Sequence, residues 1–133
     1  MIVADTNLIV RFLVQVARTQ QAERVFNRDP QWSAPLLWRS EFRNVLTLYI
    51  RRGLLSLDEA LRLMERAEGL MQGREYEVVS TSVLSLAAAS GCSAYDCEFV
   101  ALAQSLGVPL VTSDTRVLEE FTSTAVSADA FIL

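Results

Sequence analysis

Short apolar runs that stop on an acid, set between longer helical patterns, leave this chain few ways to fold. Met1-Ile2-Val3-Ala4 runs into Asp5, and Val108-Pro109-Leu110-Val111-Thr112 runs toward Asp114. Runs of this length, rich in β-branched residues, read as strands buried on both faces. Asn7 or Thr6 can cap a helix over roughly 7–16, and Thr19 a second over 20–28, stopped by Asp29-Pro30. Pro35 suits the first turn of a long helix over 36–52 that Gly53 ends. Ser56-x-x-Glu59 is a capping box for a helix that fades at Gly69 or Gly73. Glu75–Ser80 reads as a strand, Ser82–Ser90 as a small-residue helix, and Ser93-x-x-Asp96 as the start of a helix that Gly107 closes. The strand over 108–112 is followed by a short helix over 115–121 and a last short strand at 124–126. Strands alternating with helices imply an α/β fold with a parallel sheet covered on both faces. With no repeat, low-complexity tract or linker, residues 1–133 read as one domain, and the helix-rich stretch 19–72 as an extended crossover within it.

Absent residue types narrow the chemistry. There is no histidine, which removes serine–histidine and cysteine–histidine nucleophiles and any imidazole metal ligand. All twelve basic residues are arginine, so P-loop and Schiff-base schemes fall as well. Cys92 and Cys97 do not close a zinc site without histidine and read as small core residues. The net charge of −4 opposes nucleic-acid binding by bulk electrostatics, unless bound cations offset the acids and leave the arginines to act locally. No stretch approaches a membrane span, and no basic segment precedes the first apolar run, so cytoplasmic residence is the expectation.

Four acids carry the functional signal. Asp5 and Asp114 stand at or just beyond strand ends, where open α/β sheets bind ligands. Either also suits a helix N-cap. Glu41 shares a helical stripe with Leu37, Trp38, Val45 and Leu48. Arg39 and Arg43 lie about 200° around that helix and cannot be its local partners. Asp96 shares a face with Val100 and Ala103, although it also fits the third position of a box capped by Ser93; Glu98 points elsewhere and reads as solvated. Gathered in one pocket, four carboxylates repel unless protons or a divalent cation neutralise them. All-oxygen donors suit a hard ion such as Mg²⁺, with Mn²⁺ the alternative, and that chemistry points to phosphodiester hydrolysis. Arg116, in a first helical turn, opposes the helix dipole and is a candidate for substrate phosphate; Arg11, Arg51 and Arg52 are further surface candidates.

Four blocks taken together resemble the PIN-domain ribonucleases, in particular the VapC-type toxins of toxin–antitoxin pairs: Val3-Ala4-Asp5-Thr6-Asn7, Ser40 to Leu46, Ser93 to Ala103, and Leu110 to Leu118. The blocks run in family order along essentially the whole chain, and Ala128-Asp129-Ala130-Phe131 resembles the family ending. The resemblance implies a five-stranded parallel sheet flanked by helices, with Asp5, Glu41, Asp96 and Asp114 as metal-binding acids. It implies supporting roles for Thr6, Asn7 and Thr112, and cleavage of single-stranded RNA to 5′-phosphate and 3′-hydroxyl ends. It further implies an antitoxin whose tail crosses the pocket, and a homodimer. Leu8, Ile9, Phe12, Leu13, Val16, Val25 and Phe26 are the apolar residues from which an antitoxin groove would be built. The competing readings are a housekeeping PIN nuclease acting on RNA or DNA, and a non-catalytic PIN binding module.

Overall fold

In the computed structural model, which describes residues 1–133, the first apolar run becomes β1 (Ile2–Ala4), all three residues fully buried. It lies at the centre of a five-stranded sheet ordered β3-β2-β1-β4-β5, with β2 Trp32–Pro35, β3 Glu75–Tyr76, β4 Leu110–Val111 and β5 Ala125–Val126. Every pairing is parallel, and Val3 stands opposite Ser33 on one side and Leu110 on the other. The chain therefore leaves β1 toward β2 and later returns to β4 on the opposite flank. The crevice beyond the carboxyl ends of β1 and β4 is the switch point at which such sheets bind ligands.

Eight α-helices cover the sheet: α1 Thr6–Leu13, α2 Gln20–Arg28, α3 Leu37–Arg51, α4 Leu57–Met71, α5 Ser80–Ala89, α6 Ala94–Leu106, α7 Thr115–Glu120 and α8 Ala128–Phe131. Their starts follow from capping side chains: Asp5, Thr19, Ser56, Ser93, Asp114 and Ser127 each accept a backbone N–H of the first turn. The Ser56–Glu59 box closes in both directions, at 3.0 and 3.1 Å. Gly107 ends α6 in the left-handed conformation, φ 66°, that a side chain resists. No helix is long and apolar enough to cross a membrane.

Several sequence expectations shift. β2 falls on residues to which the sequence assigned no strand: Trp32 to Pro35 are all buried, and the polar Ser33 is satisfied by donating to the Ile2 carbonyl at 2.7 Å. Pro35 ends this strand, and α3 starts at Leu37. The first helix stops at Leu13, short of the expected 16, with extended Val14 and a 3₁₀ turn over Gln15–Ala17. This early stop lets the Thr19 N–H reach the Arg11 carbonyl at 3.0 Å and turns the chain into α2. The strand expected over 75–80 is only Glu75–Tyr76, since Ser80 already opens α5.

The apolar set of the 7–28 region is core and does not form an open groove. Leu8, Ile9, Leu13 and Val25 are buried, Phe12 stacks on Phe26 at 4.5 Å with Trp32 against both, and only Val16 is exposed. Cys92 and Cys97 are free thiols buried in the core.

Candidate active site

Asp5 leaves β1 with its two carboxylate oxygens assigned to different tasks. Oδ1 accepts the Leu8 N–H at 2.8 Å and so caps α1. Oδ2 accepts the Thr112 hydroxyl at 2.7 Å and the Ser113 N–H at 3.4 Å, tying the end of β1 to the end of β4. The cap reading and the crevice reading of this residue thus hold at once. Asp114 is arranged similarly: Oδ1 caps α7 at the Val117 N–H, 2.9 Å, while its own N–H donates to Thr112 Oγ1 at 3.1 Å.

Glu41 comes from α3, whose Trp38 and Phe42 are fully buried and fix the helix against the sheet. Its Oε1 accepts the buried Thr6 hydroxyl at 2.7 Å. No arginine pairs with it: Arg39 turns to Glu68 and Glu75, as its position around the helix requires. Asp96 sits in the first turn of α6, where Ser93 Oγ accepts its N–H at 3.0 Å.

The side chains from β1, α1, α3, α6 and the β4–α7 turn line one cavity of about 250 Å³. Asp5, Thr6, Asn7, Glu41, Asp96, Thr112 and Asp114 all lie on its wall, with no arginine among the lining residues. Asn44, one turn beyond Glu41, completes the polar wall; its position three residues on from Glu41 was the available signal for it. The Ser113 backbone donor to Asp5 had no signature in side-chain types.

Burial is the main cause that holds the Asp5 carboxyl above its usual range, against the opposing pull of the Thr112, Leu8 and Ser113 hydrogen bonds and the Arg11 charge. Burial also raises Glu41, opposed by the Thr6 bond and reinforced by the charges of Asp96, Asp5 and Glu98. Burial, then Asp114, raises Asp96. Glu98 departs from the solvated reading: it is half-buried, its carboxyl is itself raised by burial, and its charge is felt at Glu41.

No three acid, cysteine or histidine side chains converge closely enough to enclose one ion by themselves. The donor set still fits a hard cation. Every candidate ligand is a carboxylate oxygen, three of the four are destabilised as anions, and Mg²⁺ is commonly held by one or two carboxylates with water filling its octahedron. Arg116 is not on the cavity wall. Its guanidinium lies over Gly91, where an added Cβ would fall 1.7 Å from Nη2, and it meets Glu120 at 3.6 Å.

This geometry has counterparts in known proteins. The PIN-domain family matches residues 2–122. Ribonuclease VapC3 of Pyrobaculum aerophilum is 32% identical over 123 residues, spanning 90% of this chain and 94% of that one. The crystal structure of PAE2754 from Pyrobaculum aerophilum superimposes with a TM-score of 0.78 at 19% identity, covering 98% of this chain and 91% of that one. A toxin–antitoxin complex from Klebsiella pneumoniae gives 0.71 at 14% identity, with coverages of 96% and 98%. The acid-lined crevice, the five-stranded parallel sheet and the extended sequence match lead to one conclusion: this chain belongs to the PIN-domain family, among the VapC-type ribonucleases.

Proposed function

We propose that this protein is a Mg²⁺- or Mn²⁺-dependent endoribonuclease that hydrolyses single-stranded RNA to 5′-phosphate and 3′-hydroxyl ends, acting as the toxin of a toxin–antitoxin pair. The observation that carries the reading is the common cavity of Asp5, Glu41, Asp96 and Asp114 at the switch point of the sheet, free of basic side chains.

Asp5, Glu41, Asp96 and Asp114 are the residues that would hold the cation. When bound, it supplies neutralisation of the phosphodiester charge and acidification of water. The chain's own contribution is preorganisation. Thr112 and the Leu8 and Ser113 amides fix Asp5, and Thr6 fixes Glu41, so the oxygens facing the cavity need no reorientation. Asp96, whose carboxyl is held above its usual range by burial and then by Asp114, is the carboxylate we assign to accept the proton of the attacking water. Without histidine or lysine, the four carboxyls are the only proton-exchanging side chains on the cavity wall.

An antitoxin partner is supported by the likeness to the ribonuclease relative and to a protein solved as a toxin–antitoxin complex. Self-association as a homodimer is supported by large apolar side chains left in solvent on α5 and α6, Leu84 and Tyr95, each 64% exposed. The deciding experiment incubates a panel of structured RNAs, tRNAs included, with Mg²⁺, Mn²⁺ or EDTA, comparing wild type with Asp5→Asn. Cation-dependent cutting that disappears in the variant is the expected result. Cutting that persists in the variant or in EDTA overturns the assignment.

A further inference from the structure

Resting on the nuclease reading, we propose that the groove between α1 and α3 binds the RNA strand flanking the cut, with Arg11 and Arg52 on its phosphates and Tyr49 against a base. The groove, about 290 Å³, is lined by Asn7, Val10 and Arg11 of α1, by Ala17, and by Val45, Leu48, Tyr49 and Arg52 at the α3 side. The α3 residues stand at i, i+3, i+4 and i+7, and Glu41 is one turn before Val45 on the same stripe. Asn7 and Val45 line both the groove and the acid cavity, so the two adjoin. From Glu41 to Arg52 the helix rises about 16 Å, more than one nucleotide needs.

Charge decides the occupant. Arg39, Arg18 and Arg116 are each paired with an acid, and Arg74 is spent on the Trp32 and Leu70 carbonyls. Arg52 has no ion pair and no side-chain hydrogen bond, and Arg11 donates only one N–H, from Nη1 to Ser113 Oγ at 3.0 Å. No acid lines the groove. In a chain of net charge −4, that places free guanidinium donors in a groove beside the acid cavity, where they can meet a polyanion. A helix C-terminus favours a basic residue, which accounts for Arg51 as well as Arg52 but not for an acid-free groove shared with Arg11. Leu48, 41% exposed, and half-buried Tyr49 give bases an apolar and aromatic floor, which single strands use irrespective of sequence. An acidic peptide would also satisfy the arginines, but it leaves unexplained why the groove shares Asn7 and Val45 with the cavity that holds the four acids.

The test is steady-state cleavage in Mn²⁺ of a long single-stranded RNA and of the same RNA trimmed to the nucleotides beside the cut. Wild type, Arg52→Gln and Tyr49→Leu are compared, with folding checked by circular dichroism. Arg52→Gln should raise KM for the long RNA about fivefold, with kcat unchanged, matching one lost phosphate contact. It should flatten the salt dependence of KM by about 0.7 in log–log slope and leave the trimmed RNA unaffected. Tyr49→Leu should raise KM in the same way without changing the slope. An unchanged KM in both variants, or equal losses on long and trimmed RNA, overturns the inference while leaving the nuclease reading intact. Normal cutting by Arg52→Gln that has lost a partner protein copurifying with wild type also overturns it, and gives the groove to that partner. Wild type that cuts no RNA with Mn²⁺ removes the nuclease reading and this subsite together.

Discussion

Thr112 and Asp5, 107 residues apart in sequence, are joined by a 2.7 Å hydrogen bond that holds the ends of β1 and β4 together on the wall of the acid cavity. The same hydroxyl oxygen accepts the Asp114 N–H at 3.1 Å, so one buried side chain orients two of the four acids. Thr112→Val keeps the shape and removes both interactions. Loss of a group that supports catalytic carboxylates typically costs ten- to a hundredfold, and the unpartnered groups cost about 1–3 kcal/mol of stability. Cleavage rate and urea unfolding should fall by these amounts for the valine variant, whereas Thr112→Ser should recover most of both. A serine variant as impaired as the valine would show that the methyl packing matters and the hydroxyl does not.

Repulsion within the cavity makes a second prediction. Burial holds the Asp5, Glu41 and Asp96 carboxyls above their ordinary values, with neighbouring acids adding to the effect at Glu41 and Asp96. A carboxyl raised in the folded state binds its proton more tightly there than in the unfolded chain. Its contribution to stability is therefore fully present below the ordinary carboxylate range and is lost as pH rises through the raised folded value. Glu41→Gln deletes one such charge and keeps an acceptor for Thr6 Oγ1. In EDTA at neutral pH the variant should melt above wild type, by roughly 4 °C for each kcal/mol regained. The gap should close as pH falls below the carboxylate range, and Mn²⁺ should raise the wild-type Tm more than the variant's. A variant that melts lower than wild type at every pH would show that the Thr6–Glu41 bond outweighs the repulsion.

How much of this was legible beforehand varied with the kind of signal. Asp5 and Asp114 were readable because they stand at or just beyond the ends of apolar runs, Glu41 and Asp96 because each sits on an apolar helical stripe, and the caps at Thr19, Ser56 and Ser93 because their side-chain chemistry is local. β2 was not readable from its own residues. Four residues give no periodicity, Ser33 breaks the apolar run, and Pro35 resembles a helix start until the Ile2–Trp32 register places it beside β1. The role of Thr112 depends on a contact over 107 residues, which no local pattern encodes. Glu98 read as solvated because its position on α6 points away from Asp96; in the fold it lies beside Val83 and Leu84 of α5, a neighbourhood no local pattern encodes.

Gly91 and Arg116 form a third testable unit. Gly91 does not have the positive φ that would demand glycine; its missing side chain leaves room for the Arg116 guanidinium. In Gly91→Ala the methyl group would occupy the guanidinium's place, and the flexible arginine must move. If Arg116 grips substrate phosphate from this position, Gly91→Ala and Arg116→Ala should each raise KM several-fold, and the double variant should be no worse than Arg116→Ala alone. Thermal stability should barely change, since Gly91 is exposed. Additive effects, or an active Gly91→Ala enzyme with wild-type KM, would reduce Arg116 to a solvated charge paired with Glu120.

The last prediction concerns a part of the molecule remote from the acids. Glu75, in the edge strand β3, accepts the Trp38 indole N–H at 2.9 Å and the Arg39 Nη2 at 2.7 Å, so it anchors the start of α3 to the sheet. Arg39 also reaches Glu68 of α4 at 3.0 Å. The Arg39 and Trp38 bonds to Glu75 pull its carboxyl below the ordinary range, the Arg39 bond first, against the opposing effect of burial. The stability they contribute is present above the ordinary carboxylate range and is lost as pH falls through the lowered value, opposite in sign to the cavity acids. Glu75→Ala strands the indole N–H of a fully buried Trp38 and should cost about 1–3 kcal/mol. Glu75→Gln, which keeps one acceptor, should cost less. Because α3 carries Glu41, the alanine variant tests whether anchoring matters to the site. Urea unfolding should register the full loss, while kcat measured well below the melting temperature should fall only a few-fold, since Phe42 and the Thr6 bond still hold Glu41 in place. A collapse of kcat with unfolding stability intact would instead make Glu75 a positioning residue for the acid cavity.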